Sequence, residues 1–238
     1  MSHQLCTQIV LLVVYIMTLL WFVTYYQRTQ QALRWWSFRQ SMKLFLEAEK
    51  IRDDLLQESF TIRRSLELLP EDNVEFSLTT TQECLKKIDS FHQSLAQLSD
   101  RLFSAYLPEG LPLAIEFLLQ SWLASNSHLY FRLDVPTYWQ DEPAERSLVI
   151  LTTLEELLRI VLPEVSTQMI SVYVGLNQQE SNRQLTVEIT YPDLPTFFMF
   201  SSIPEIKYLC NTFKILTSGK CFCRNNNLSI IWSFCWYG

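Results

Sequence analysis

The sequence predicts an α+β protein carried on a membrane helix, with a long helical hairpin between anchor and folded domain. Three observations predict it. An uncharged apolar run lies near the N-terminus. Two long stretches then place apolar residues at three- and four-residue steps. Beyond Pro108, alternating segments interleave with helical ones. At 238 residues, 48% hydrophobic and 13% aromatic, the chain has material for a packed core. A net charge of −6 argues against nucleic acid as a partner, because phosphate binding needs a clustered basic surface.

Residues 9–23 (IVLLVVYIMTLLWFV) carry no charge, and the uncharged stretch extends over 4–27. A bilayer-crossing helix needs roughly 20 mostly apolar residues, so 5–27 is the expected anchor. Trp21, Tyr25, Tyr26, Trp35 and Trp36 follow as membrane-interface aromatics. A cleaved signal peptide would want an early positive region and small residues at its end, and this segment has neither. Arg28, Arg34, Arg39 and Lys43 follow the span before any acid appears. The positive-inside rule therefore expects a single-pass protein with its N-terminus outside and everything after residue 27 in the cytoplasm. Six cysteines in a reducing compartment are expected to stay free. Cys221 and Cys223 are too close together, and too poor in neighbouring ligands, for a metal site, and read instead as same-face residues of a buried strand.

Residues 28–107 form the expected juxtamembrane helix and hairpin. Between 28 and 69 there is no Pro or Gly, and Leu44, Ala48, Ile51, Leu55, Ile62, Leu66 and Leu69 make one stripe. Pro70 stops the helix and a polar turn follows at 71–73. The second helix carries Leu85, Ile88, Phe91, Leu95, Leu98 and Leu102 on one face. Such a hairpin leaves half its stripe uncovered, so it is expected to pair as a coiled-coil-like homodimer or to receive a partner helix.

Residues 108–238 are expected to fold as one mixed sheet under a layer of helices. Residues 111–124 read as a helix, 128–135 as a strand, and 145–162 as a helix ended by Pro163. Ile170, Val172 and Val174, then Leu185, Val187 and Ile189, alternate as strands. A helix near 203–216 precedes two closing strands near 220–224 and 228–235.

Lys50-Ile51-Arg52-Asp53-Asp54-Leu55-Leu56-Gln57 (KIRDDLLQ), preceded by Glu49 and followed by Ile62-Arg63 and Leu66-Glu67, resembles the phosphoacceptor helix of sensor histidine kinases. The subfamily is that of the nitrate/nitrite sensors, whose helix reads approximately E-x-x-R-I-A-R-E-L-H-D-x-L-L-Q…I-R…L-E. Tyr106-Leu107-Pro108-Glu109-Gly110-Leu111 and Trp122 resemble that family's L-R-P…G-L…W link to its ATPase domain. The order of anchor, hairpin and α+β domain is the family's too. The resemblance covers about residues 44–235. It is specific in the hairpin and at pattern level beyond it.

The resemblance implies a kinase whose reactive positions have been exchanged. Arg52 stands at the phosphoacceptor His, and a guanidinium cannot act as the nucleophile that takes a phosphoryl group. Asp53, matching the acid that activates that His, has nothing there to activate. The magnesium-binding Asn of Q-E-A-L-x-N-A-x-K-H-A falls on Leu158 or Arg159, neither of which offers an oxygen ligand. The adenine-reading D-x-G is replaced by Tyr191-Pro192-Asp193. The glycine-rich lid is replaced by a run containing Phe197, Phe198 and Phe200, in a chain with four glycines in all.

These positions admit more than one role. Arg52-Asp53 reads as a solvated helix edge, or as a partner contact on the family's docking face. Phe197, Phe198 and Phe200 read as a plug folded into the vacated pocket, or as an exposed patch for a partner or the bilayer. His92 and His128 read as structural. No phosphate-binding G-x-x-x-x-G-K-[ST], no G-x-S-x-G and no H-E-x-x-H is present, so no other catalytic set, metal site or cofactor is expected. The sequence reading is therefore a membrane-bound pseudokinase that binds no ATP. It would serve as an adaptor, or as an accessory or assembly subunit, for other membrane or signalling proteins. The alternative is a divergent kinase or phosphatase of the same two-component class, in which Gln57 would orient water.

Overall fold

The computed structural model describes residues 2–67, 74–102, 107–140, 142–162 and 168–238. The helix stop at Pro70, the polar turn at 71–73, and Leu69, Tyr106 and Pro163 lie outside the described residues. So do the side chains of Arg52, Asp54, Leu98 and Leu102. The chain divides into two compact units, one of Met1–Ser37 with Gly110–Gly238 and one of Phe38–Glu109.

Helix α1 runs without a break over Ser2–Lys50, because nothing between them interrupts the i→i−4 ladder. Among the described residues it is the one helix long and apolar enough to cross a membrane, and its residues from Leu11 to Tyr26 are exposed. Trp21, Tyr25 and Tyr26 are exposed on it, with Trp21 stacked on Tyr25 at 5.7 Å.

In the second unit, Ile51–Leu55 form a π-helical turn, followed by α2 (Leu56–Glu67) and α3 (Val74–Leu102). The turn falls on IRDDL and was not legible in the sequence. A π turn takes one extra residue and rotates the downstream face by about 100°, so the predicted single stripe has a break in phase. Leu55 and Ile62 are buried, with Cys84 of α3. Lys87 Nζ donates to Ser65 Oγ at 3.2 Å across the α2–α3 pair. Leu66, Leu85, Ile88 and Leu95 remain exposed, so much of the hairpin's apolar surface is uncovered within the chain.

The other unit is built on α4 (Leu111–Ser125), β1 (Leu129–Asp134), α5 (Ala144–Val161), β2 (Ile170–Gln179) and β3 (Asn182–Thr190). It continues with α6 (Leu194–Ser201), α7 (Glu205–Thr217), β4 (Lys220–Asn226) and β5 (Ser229–Tyr237). The five strands lie in the order β1-β2-β3-β5-β4. Strands β1 and β2 are parallel through the α5 crossover, and the other pairs are antiparallel. Period-2 alternation puts Val172, Val174, Leu185, Val187, Ile189, Ile230, Trp232 and Phe234 on a fully buried face. The covering helices contribute Ile115 from α4, Leu154 and Leu157 from α5, and Leu209 and Phe213 from α7, all buried. On the strands' other side, the Tyr173 hydroxyl donates to Asp134 Oδ2 at 3.1 Å.

Two glycines are dictated by geometry. Gly110, at φ 119° before α4, holds a conformation that side chains rarely take. A Cβ on Gly219 would collide with the Cys235 carbonyl, so the α7–β4 turn closes only with glycine there.

Two expectations about cysteine are corrected. The α7–β4 turn sets the Cys210 and Cys221 Cα atoms 5.6 Å apart, within the range a disulfide spans, and the two sulfurs are bonded. Cys221 and Cys223 belong to the edge strand β4, where Cys221 is half-buried and Cys223 exposed, so they do not lie in a buried strand.

Candidate functional site

The richest arrangement of predicted site residues lies where β3 ends and α6 begins. Tyr191 leaves β3 with its backbone N–H bonded to the Leu228 carbonyl and its side chain fully buried. Its hydroxyl donates to the Val161 carbonyl at 3.0 Å, at the C-terminal turn of α5, where carbonyls have no helical partner. Burial pushes the phenol well above its ordinary pKa.

The next residues turn into α6, a helix where the family resemblance implies a lid segment. Asp193 is its N-cap, with Oδ1 accepting from the Thr196 N–H at 2.8 Å, and Pro195 sits in the first turn. That bond, made to the charged form, lowers the Asp193 carboxyl below the usual range. Asp193 is thus engaged with its own helix.

Helical spacing divides the Phe run between two faces. Phe197 and Phe200, one turn apart, are 7% and 8% exposed, while Phe198 is 64% exposed. The Phe200 ring stacks on Tyr191 at 5.5 Å with 3° between planes, and Phe197 meets the same ring edge-on at 6.4 Å. The arrangement is a closed aromatic triad, with Phe198 and Met199 turned to solvent.

On α5, Leu158 is completely buried one turn before Val161. Arg159 is exposed and paired with Glu155 at 2.8 Å. Neither side chain supplies a magnesium ligand, and among the described residues no cluster of three metal-ligating side chains occurs. In the hairpin unit, Asp53 and Gln57 are exposed, Asp53 within the π turn and Gln57 just after it. Trp35 and Trp36 are half-buried, and the Trp35 ring lies 6.1 Å from that of Tyr208 on α7.

Sequence reasoning missed one buried polar cluster. The side chains of Arg183 (β3) and Glu142 are 2% and 1% exposed, and Arg183 Nη1 lies 2.9 Å from Glu142 Oε1. The Trp236 indole N–H donates to the same carboxylate, and the Arg183 guanidinium lies 5.5 Å over the Trp139 ring. Members drawn from 139, 142, 183 and 236 leave no local pattern for a sequence to display.

No protein-family model matches the sequence, and no curated protein matches it. Some solved structures are similar to it at low identity. The histidine kinase ThkA, in complex with the response regulator protein TrrA, is 14% identical with a TM-score of 0.42, covering 89% of this chain and 65% of that one. The histidine kinase domain of a blue-light activated histidine kinase from Erythrobacter litoralis is 12% identical with a TM-score of 0.44, covering 76% and 93%. The histidine kinase AdeS of Acinetobacter baumannii is 8% identical with a TM-score of 0.38, covering 79% and 96%.

Proposed function

We propose that this protein is a non-catalytic, membrane-anchored relative of the sensor histidine kinases. It would act by binding other proteins, as an adaptor or as an accessory or assembly subunit of a membrane complex. The observation that carries the reading is the triad of Tyr191, Phe197 and Phe200. It fills the end of β3 with packed rings at the positions where the resembled family reads adenine and closes its lid. Leu158, buried, and Arg159, paired with Glu155, stand at the magnesium position, and Arg52 stands for the phosphoacceptor His. Each exchange removes a different requirement of phosphoryl transfer: nucleophile, metal and nucleotide.

What the fold keeps is surface. The uncovered hairpin stripe offers an interface to a second copy or a partner helix, and exposed Asp53 and Gln57 lie in and beside a π turn, a feature frequent at functional sites. Helix α1 supplies the anchor, and the Arg and Lys residues after it favour a cytoplasmic domain. In that compartment the Cys210–Cys221 bond would be open to reduction.

Affinity isolation of the tagged full-length protein from mild-detergent membranes tests this reading. A stoichiometric membrane or signalling protein is expected to accompany the wild type and to be lost from the Arg52→Glu, Asp53→Lys double variant. Recovery of the protein with nothing but copies of itself would contradict the adaptor role.

A further inference from the structure

We infer that the cleft between α1 and α7 is a binding site for the headgroup of an acidic phospholipid. The inference rests on the reading of α1 as a membrane helix. The cleft measures 690 Å³, a volume ordinary for a small-molecule site. Arg28 and Gln31, one turn apart, line it from α1. Lys207, Asn211 and Lys214 line it from one face of α7, at i, i+4 and i+7. Three cations and two amides converge there, and no carboxylate is among the described lining residues. Hydrogen-bond donors around a positive centre are what a phosphodiester requires.

The placement along α1 is the second, independent observation. Arg28 is the first charged residue after the uncharged run, two positions beyond Tyr26, the last of the exposed aromatics Trp21, Tyr25 and Tyr26. At about 1.5 Å per residue, a run of roughly 20 residues fills the hydrocarbon core. Arg28 and the mouth of the cleft then sit at the depth of the lipid phosphates. The cleft's form is fixed just beyond it, where Thr212 Oγ1 donates to the Ala32 carbonyl at 3.2 Å and Trp35 packs on Tyr208. Helix α7 is thereby held against the anchor with its lysine face toward the headgroup layer. The domain would be seated on the bilayer as well as tethered to it, and acidic lipid would set its orientation.

The test uses the full-length protein in nanodiscs of equal parts phosphatidylcholine and phosphatidylglycerol, with the lipid retained on mild extraction identified by native mass spectrometry. The wild type is expected to retain phosphatidylglycerol over phosphatidylcholine by at least about tenfold, and to lose that preference as salt is raised. Lys207→Glu, Lys214→Glu should abolish the preference and Lys207→Arg, Lys214→Arg should keep it. Equal retention of the two lipids by the wild type, or an unchanged preference in the charge-reversed variant, overturns the proposal. Displacement of the lipid by inorganic phosphate alone, in the absence of competing lipid, would reassign the cleft to a free anion and also overturn it. Release of the native protein from membranes by alkaline carbonate would overturn the anchor and this site together. A protein that resists carbonate but shows no lipid preference would overturn the site alone.

Discussion

Arg183→Met is expected to destabilise the C-terminal unit by about 3–5 kcal/mol, because it leaves the Glu142 carboxylate enclosed without its cation. The two side chains are 2% and 1% exposed and 2.9 Å apart, so solvent cannot replace the lost partner. Arg146, whose Nη1 lies 3.9 Å from the same carboxylate, is committed to the Tyr237 carbonyl at 2.7 Å and does not close that distance. The companion double variant Glu142→Leu, Arg183→Met removes both charges and should recover most of the loss, since a buried ion pair contributes little beyond a packed apolar pair. Urea denaturation of the full-length protein in detergent, followed by tryptophan fluorescence, reads both variants. A single variant as stable as the double would show that the pair does not hold this corner of the sheet.

The second large effect is expected at Tyr191. Tyr191→Ala removes a fully buried ring on which Phe200 stacks and against which Phe197 rests, and should cost about 3–5 kcal/mol. Tyr191→Phe keeps the ring and removes the hydroxyl bond to Val161, which should cost about 1 kcal/mol. The difference between the two separates packing from hydrogen bonding at this position. Equal losses would mean that the bond to the end of α5, and not the aromatic stack, holds the triad together.

The parts of the fold that were legible in the sequence are those whose periodicity spans a whole element. Alternation at Ile170, Val172 and Val174 and at Leu185, Val187 and Ile189 marked which face of β2 and β3 is buried, and the helix read over 145–162 is α5, Ala144–Val161. Helix α6 was not legible because eight residues reading L-P-T-F-F-M-F-S match neither period, and its start depends on a cap from Asp193 that only the fold reveals. The π turn at Ile51–Leu55 was hidden because one extra residue in a long helix changes no residue type. At the candidate site, the family resemblance singled out Tyr191, Asp193 and the Phe run. Which rings turn inward depended on the helical phase that α6 imposes. The Glu142–Arg183 pair, the Cys210–Cys221 bond and the contact of Ala32 with Thr212 join residues 41, 11 and 180 positions apart, and only the tertiary fold brings them together.

The most direct test of the central claim is the binding of magnesium-ATP to the full-length protein in mild detergent, measured by titration calorimetry beside the Phe200→Ala variant. No saturable binding by either protein is expected, because removing one ring opens space without supplying a magnesium ligand or an adenine-reading carboxylate. Saturable, magnesium-dependent binding by the wild type would contradict it and would favour the alternative of an active kinase or phosphatase.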